Sequence, residues 1–320
     1  MTRQPKIFSG RANPELTSKI CSALNLPVGG VRFATFPDGE FHCKIDDVRG
    51  RDVFLVQPTC PPVNDNLMEL LIMIDACRRA SADRITAVIP YYGYARQDRK
   101  DEGRVPITAK LVANMIVRAG ADRVLAMDLH AAQIQGFFDV PVDHLYAGSV
   151  LNKHFIDMKI PTEELVIVSP DEGSIKRAVG HAKRIGGDLA IIDKRRLTAE
   201  KVVLENIIGG DLEGKVAIML DDKISTAGSI CGAAELVKKK GAREIHVAAT
   251  HGVFAGPAIE RMMAAPIDSI VITDTVPLPP GKTCDKIKVL SVAGMLGESI
   301  KRIHQHESIS EIFSEEETEE

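Results

Sequence analysis

Eight short runs rich in Val, Ile and Leu recur along this chain, and each ends in polar residues. They are DVFLVQP (52–58), ITAVIPYY (85–92), RVLAMDLH (123–130), LVIVSPD (165–171), DLAIIDKRR (188–196), KVAIMLDD (215–222), EIHVAATHG (244–252) and IDSIVITDT (267–275). Between many of them apolar residues fall at i, i+3, i+4 and i+7, as in Leu67, Leu70, Leu71, Ile74 and in Ile230, Ala233, Ala234, Val237. Strand alternating with helix predicts an α/β protein with mainly parallel sheets flanked by helices.

One unit occurs three times: ACRRASADRITAVIP (76–90), MIVRAGADRVLAMDL (115–129) and LVKKKGAREIHVAAT (236–250). Each reads as a helix end, a turn of small residues, a charged step and a buried strand. In the third copy Lys238, Lys239 and Lys240 fall where cations meet the negative end of the helix dipole, and Gly241 is free to take a left-handed cap. The repetition suggests related halves dividing near residue 150, although helix-turn-strand joints in any α/β protein converge on this chemistry. Two domains also suit 320 residues that are 45% hydrophobic.

Net charge is −4, and five glutamates sit in the final EEETEE; without them the chain carries +1. So balanced a body argues against a nucleic-acid surface, and the tail reads as solvating and disordered. No run approaches the roughly 20 apolar residues that span a bilayer, and the start lacks a signal-peptide core, so a cytoplasmic protein is expected. The six cysteines form no C-x-x-C pair, which predicts reduced, mostly buried thiols.

Polar chemistry gathers after the strands. In open parallel sheets ligands bind outside the carboxyl ends, so His130, Asp171, Lys194, Arg196, Asp221 and Asp222 are expected to converge. The stretch MLDDKISTAGS (219–229) is the most specific of these places. Small residues Ser225 to Ser229 can wrap an anion at the start of a helix, whose first N–H groups lack partners. Asp221 and Asp222 would repel a phosphate unless they face elsewhere, and carboxylates accept well from vicinal hydroxyls or hold a hydrated magnesium ion. A sugar phosphate meets both demands. An ordinary strand-to-helix turn with Ser225 or Thr226 as N-cap fits the same residues. The chain lacks a G-x-x-x-x-G-K-[ST] loop, G-x-G-x-x-G, H-E-x-x-H and G-x-S-x-G, which weighs against P-loop kinases and Rossmann dehydrogenases.

DDKISTAGS resembles the phosphoribosyl-diphosphate loop of phosphoribosyltransferases and ribose-phosphate diphosphokinases. Other motifs narrow the resemblance to the diphosphokinases: FPDGE (36–40), NDNLMELLIMIDACRRASADRITAVIPYYGYARQDRK (64–100), ITAKLVANMI (107–116), MDLHAAQIQGFFDVPVDHLYA (127–147), SPDEG (169–173), DKRR (193–196) and THGVFAGPAIER (250–261). The resemblance implies two phosphoribosyltransferase-like domains, 1–148 (ATP side, joined by 304–314) and 149–303 (ribose 5-phosphate side), before an acidic tail at 315–320. It implies transfer of the diphosphoryl group of Mg-ATP to the C1 hydroxyl of ribose 5-phosphate, giving phosphoribosyl diphosphate and AMP for nucleotide biosynthesis.

By the same resemblance, Asp221 and Asp222 hold the ribose hydroxyls, and Ser225, Thr226, Ala227, Gly228 and Ser229 wrap the 5-phosphate. The family pattern carries an acid at the place of Ser225 and Thr at that of Ser229, so altered affinity with retained binding is expected. Arg96, Gln97 and Arg99 match the segment that meets ATP. Phe36, Asp38, Gly39 and Glu40 match a loop that a neighbouring subunit lends to the adenine pocket. His130 and Asp171 match magnesium-binding positions, with Asp128, Asp139 and Asp143 as weaker candidates. Lys194 and Arg196 match a mobile loop closing over the reaction, Arg196 also meeting the sugar phosphate, and LTAEKVVLENIIGG (197–210) is expected to continue that loop.

Homo-oligomers, hexamers in particular, follow from the resemblance, with phosphate activation and ADP inhibition at a site matching Arg49, Lys100, Arg104, Ser308, Ser310 and Phe313. Asp47 stands where a hydroxyl is usual, and a carboxylate there weakens phosphate binding. Two other readings compete: a phosphoribosyltransferase, which has no use for the ARQD and DLHAAQ segments, and an inactive synthetase-associated regulatory subunit. The latter class loses catalytic positions that this chain retains.

Overall fold

The computed structural model describes the backbone of residues 4–198 and 201–310, and the side chains of these except at positions 172, 194–198 and 201–205. It divides into two compact units: residues to Tyr146 together with those from Ser291 onward, and Ala147–Leu290.

The first unit opens with β1 (Lys6–Ser9), α1 (Pro14–Ala23), β2 (Val31–Thr35), β3 (Phe41–Ile45) and β4 (Asp52–Val56). It continues through α2 (Val63–Arg79), β5 (Arg84–Ile89), α3 (Thr108–Ala119), β6 (Arg123–Met127) and β7 (Val142–Leu145). Five strands form a parallel sheet ordered β1-β4-β5-β6-β7, while β2 and β3 pair separately as an antiparallel hairpin. Consecutive buried residues in Val53–Val56 and Ile85–Ile89 show a sheet covered on both faces, as parallel sheets require. Leu70, Met73, Ile74 and Cys77 of α2 and Val112, Ala113 and Ile116 of α3 pack in one core with Val53, Leu55, Ala87 and Val124.

The second unit runs α4 (Gly148–Asp157), β8 (Leu165–Ser169), α5 (Ile175–Ile185), β9 (Asp188–Thr198), β10 (Lys201–Gly209) and β11 (Val216–Ile224). Then come α6 (Gly228–Lys239), β12 (Glu244–Gly252), α7 (Ala258–Ala264), β13 (Ser269–Thr273) and β14 (Ile287–Leu290). Its sheet is ordered β10-β9-β8-β11-β12-β13-β14, parallel except for the β9–β10 ribbon. One face packs on Ile230, Ala233, Ala234 and Val237 of α6, and the other on Leu151 and Phe155 of α4 and Ala178 of α5.

Helix α8 (Ala293–Gln305) lies with the first unit and packs against α1. Arg84 explains this placement: it pairs with Asp52 and donates to the carbonyl of Ile303 (2.9 Å), while His304 Nδ1 lies 2.7 Å from Asp52 Oδ2. Residues 291–303 therefore stand outside the second unit, against the expected range of 149–303.

All eight sequence-predicted strands are present, and the three repeated units are the joints α2–β5, α3–β6 and α6–β12. Gly120 and Gly241 take φ of +125° and +90°, but Ser81 fills the same place at +62°. The charged step in the second joint has a structural task, since Asp122 accepts from the N–H of Ile85 at 2.8 Å. Residues 201–209 differ from expectation: the predicted loop continues as β10, paired antiparallel with β9. Its Val- and Ile-rich composition suits a ribbon whose ladder satisfies backbone groups that an open loop leaves to water.

Candidate active site

Strand order reverses once in the second unit: from β8 the chain passes to β9 on one side, then to β11 on the other. This switch point is where parallel sheets open a ligand crevice. Asp171 follows β8, and Asp221 and Asp222 lie near the end of β11. Arg177 of α5 meets both acids, with Nη1 3.2 Å from Asp221 Oδ1 and 3.6 Å from Asp222 Oδ1. Asp221 Oδ1 also accepts from the N–H of Asp222 (2.8 Å) and from Ser174 Oγ (3.5 Å). Burial, then the neighbouring Asp222 carboxylate, pushes Asp221 up to about 7, while Arg177 opposes the shift. A quarter of the Asp221 side chain remains exposed, so water tempers the rise and a ligand can reach the carboxylate.

The helix start after these acids has no side-chain cap. Ser225 and Thr226 do not serve as N-cap. The cap position falls on Ala227 at φ +61° and ψ 0°, a left-handed conformation that costs a non-glycine residue ~1 kcal/mol or more. Successive N–H groups around such a residue form an anion-binding concavity, and α6 adds the positive end of its dipole. Arg261 of α7 holds the loop by donating to the carbonyl of Thr226 at 3.0 Å, and the N–H of Ala255 donates to the carbonyl of Ser225 at 3.0 Å. Gly228 and Ser229 are exposed, as is Thr226, and Ser225 is half-buried.

In the first unit the order β1-β4-β5-β6-β7 contains no reversal, and the polar groups instead follow the neighbouring strands β5 and β6. Arg96, Gln97 and Arg99 occupy the turns after β5. Gln97 is fixed at both ends, its N–H donating to Tyr94 O (2.9 Å) and its Oε1 accepting from Thr108 Oγ1 (2.5 Å). Arg96 and Arg99 are exposed and make no ion pair among the described residues, leaving their charge for a ligand. His130 is exposed after β6, beside Asp128 at φ +40°. Asp143 is committed elsewhere, 2.6 Å from Arg123, and Asp139 is exposed. Phe36 caps the β2–β3 hairpin half exposed, in a turn closed by Phe36 N–H to Glu40 O (2.8 Å), with Gly39 at φ +92°. Asp38 Oδ1 accepts from the N–H of Glu40 at 3.1 Å.

Among the described residues no group of three or more His, Cys, Asp or Glu is gathered to cage a metal. Magnesium does not need one, because it keeps waters and takes one or two carboxylates together with substrate phosphates. Asp171 fits that pattern, with Oδ1 accepting from the N–H of Ser174 at 2.9 Å and the residue half-buried.

The backbones of Lys194 and Arg196 lie on β9, opposite Leu204 and Val202; their side chains lie outside the described residues, as do Phe313 and the tail at 315–320. Arg49, Lys100 and Arg104 are exposed, and the hydroxyls of Ser308 and Ser310 stand 2.6 Å apart. Asp47 is less repulsive than its charge suggests: it pairs with Lys6 (3.2 Å) and Arg51 (3.4 Å), and the Lys6 hydrogen bond leads in holding its pKa below the usual value. Sequence reasoning missed Arg177 and Arg261. The unmatched charge of two adjacent acids was the available signal for the first, and the unexplained arginine ending THGVFAGPAIER for the second.

Paired acids feeding an uncapped anion loop at the switch point of a parallel sheet place the second unit in the phosphoribosyltransferase-like class, and the first unit adds a second parallel sheet flanked by helices. Residues 5–120 match the family model described as the N-terminal domain of ribose phosphate pyrophosphokinase, and 196–314 that of the phosphoribosyl synthetase-associated domain. A ribose-phosphate pyrophosphokinase of Rhodopirellula baltica is 68% identical over 98% of this chain and 99% of its own. Another from Caldanaerobacter subterraneus subsp. tengcongensis is 55% identical over 98% and 99%. The crystal structure of phosphoribosylpyrophosphate synthetase from Mycobacterium smegmatis superposes with a TM-score of 0.87 at 41% identity, covering 95% of this chain and all of that one. The chain belongs to the ribose-phosphate pyrophosphokinase family.

Proposed function

We propose that this protein transfers the diphosphoryl group of ATP to the C1 hydroxyl of ribose 5-phosphate, yielding phosphoribosyl diphosphate and AMP. The observation that carries the reading is the uncapped, strained loop 225–229 directly after an acid pair already matched to a cation, in a chain 68% identical to such an enzyme along nearly its full length. Phosphoryl transfer needs positioning and charge neutralisation more than covalent help from the protein. The C1 oxygen bonds to the β-phosphorus, the bond from that phosphorus to the α–β bridging oxygen breaks, AMP departs and the hydroxyl proton is released.

Loop N–H groups at 225–229 hold the 5-phosphate, and Asp221 with Asp222 accepts from the ribose hydroxyls, an arrangement that favours ionised Asp221. Arg96, Gln97 and Arg99 hold ATP, and the hairpin tip Phe36–Glu40 completes the adenine pocket of a neighbouring copy in a homo-oligomer, a hexamer by family resemblance. Lys194 and Arg196 stabilise charge on the transferring oxygens, usually the largest contribution in such catalysis. His130 and Asp171 would hold magnesium, which when bound neutralises the nucleotide phosphates. Cytoplasmic nucleotide biosynthesis fits the reading; no helix among the described residues is long and apolar enough to cross a membrane.

Incubation with Mg-ATP and ribose 5-phosphate tests it: AMP supports diphosphoryl transfer, ADP an ordinary kinase, and no turnover a regulatory subunit. Lys194→Ala is expected to lower kcat by about 100-fold or more while ATP still binds. An unchanged rate removes Lys194 from the mechanism.

A further inference from the structure

The β2–β3 hairpin ends in an exposed tip, and the ground beneath that tip is open. A cavity of about 560 Å³ lies there, lined in part by Arg11, Thr35, Gly39, Glu40, Asp65 and Met68. Packing therefore does not support the tip directly. The strands of the hairpin pack on the core through Cys43, Phe33, Phe41 and Ile45, and the side chain of Arg11 spans from α2 to the base of the tip. Arg11, in the turn after β1, donates from Nε to Glu69 Oε2 at 2.6 Å and from its backbone N–H to Glu69 Oε1 at 2.5 Å. Its guanidinium carbon sits 4.5 Å from the Phe41 ring centroid and 5.6 Å from that of Phe33, and Nη1 reaches Thr35 Oγ1 at 3.4 Å. Thr35 and Phe41 are the last paired residues before the tip.

The anchor end is rigid. Glu69 on α2 is 2% exposed, and its Oε1 also accepts from Gln57 Nε2 at 3.1 Å. Gln57 is fully buried, accepts from the N–H of Ala12 (3.1 Å) and donates to Asn66 O (3.3 Å). A Cβ on Gly10 would sit 2.1 Å from Gln57 Oε1, so the turn carrying Arg11 lies tight against this network. A buried carboxylate with one cationic and two neutral donors is a fixed point. The planar cation then carries that fixity outward to the aromatic base of the hairpin.

We infer that Arg11 is a positioning residue for nucleotide binding: through Glu69 and Phe41 it sets the pose in which Phe36, Asp38 and Glu40 are presented to adenine. The inference rests on the functional reading above, and its test separates the two. In Arg11→Met, amide hydrogen exchange across residues 31–45 speeds up relative to the sheet strands. KM for ATP rises about fivefold, as expected for loss of roughly 1 kcal/mol of cation–π support. KM for ribose 5-phosphate and kcat stay within about twofold. Arg11→Lys, which keeps the charge and loses the plane, falls between. Should Arg11→Met fail to fold, Phe41→Leu removes the stacked face while leaving the Arg11–Glu69 pair, and the same split in KM is expected.

Faster exchange with an unchanged KM for ATP overturns the inference, as does an equal rise in both Michaelis constants, which marks a merely structural role. Wild-type protein that forms no AMP contradicts the functional reading and this inference with it. Wild-type turnover with indifferent variants contradicts this inference alone.

Discussion

Asp221 is held in two opposed fields, and the balance sets how the second unit responds to pH. Burial and Asp222 raise its pKa to about 7, and Arg177 pulls it back. A carboxyl whose folded pKa exceeds its unfolded value stabilises the fold fully below about 3.8, and that contribution is lost as pH rises through about 7. In the proposed function sugar binding runs the other way, since the ionised carboxylate is the better acceptor, so KM for ribose 5-phosphate is expected to rise as pH falls below 7. Arg177→Met removes the opposing cation and moves that acid limb upward by about one pH unit. A profile that does not move shows that Arg177 does not govern Asp221. At this scale the sequence was half legible. Adjacent acids after a buried strand announce themselves, but Arg177 sits six residues beyond Asp171 on an amphipathic helix and reads as a surface cation. Only the adjacency of β8 and β11 makes it the counter-charge. The cap at 227 was illegible for another reason: hydroxyl residues stood ready at 225 and 226, yet the chain leaves the helix N–H groups uncovered and strains an alanine instead.

Elements were more legible than residues because buried parallel strands must be continuous apolar runs, and each expected strand was found. Two assignments depended on tertiary context. The segment 201–209 has strand composition, and the expectation of a loop came from resemblance over pattern; the antiparallel ladder with β9 follows the pattern. Helix α8 follows the second unit in sequence but is fastened to the first by Arg84, Asp52 and His304, a contact between residues over 200 positions apart that no periodicity reveals. Arg84→Met leaves Asp52, only 12% exposed at its side chain, with His304 as its remaining side-chain partner, and opens the carbonyl of Ile303. The expected cost is ~2 kcal/mol in urea unfolding, less than for a fully buried pair because Arg84 keeps 22% of its side chain in water. A loss under ~0.5 kcal/mol would show that α8 is held by apolar packing alone.

For the whole molecule, all of the chemistry reduces to which bond of ATP is cut. The β-phosphorus is the point of attack in diphosphoryl transfer, so β- and γ-phosphates travel together, whereas an ordinary kinase moves the γ-phosphate alone. The most direct measurement uses ATP labelled at the β-phosphorus, with magnesium and ribose 5-phosphate, followed by separation of the sugar and nucleotide products. Diphosphoryl transfer places the label in the sugar product, with AMP formed mole for mole. Label retained in ADP, or a sugar product without it, rules out diphosphoryl transfer.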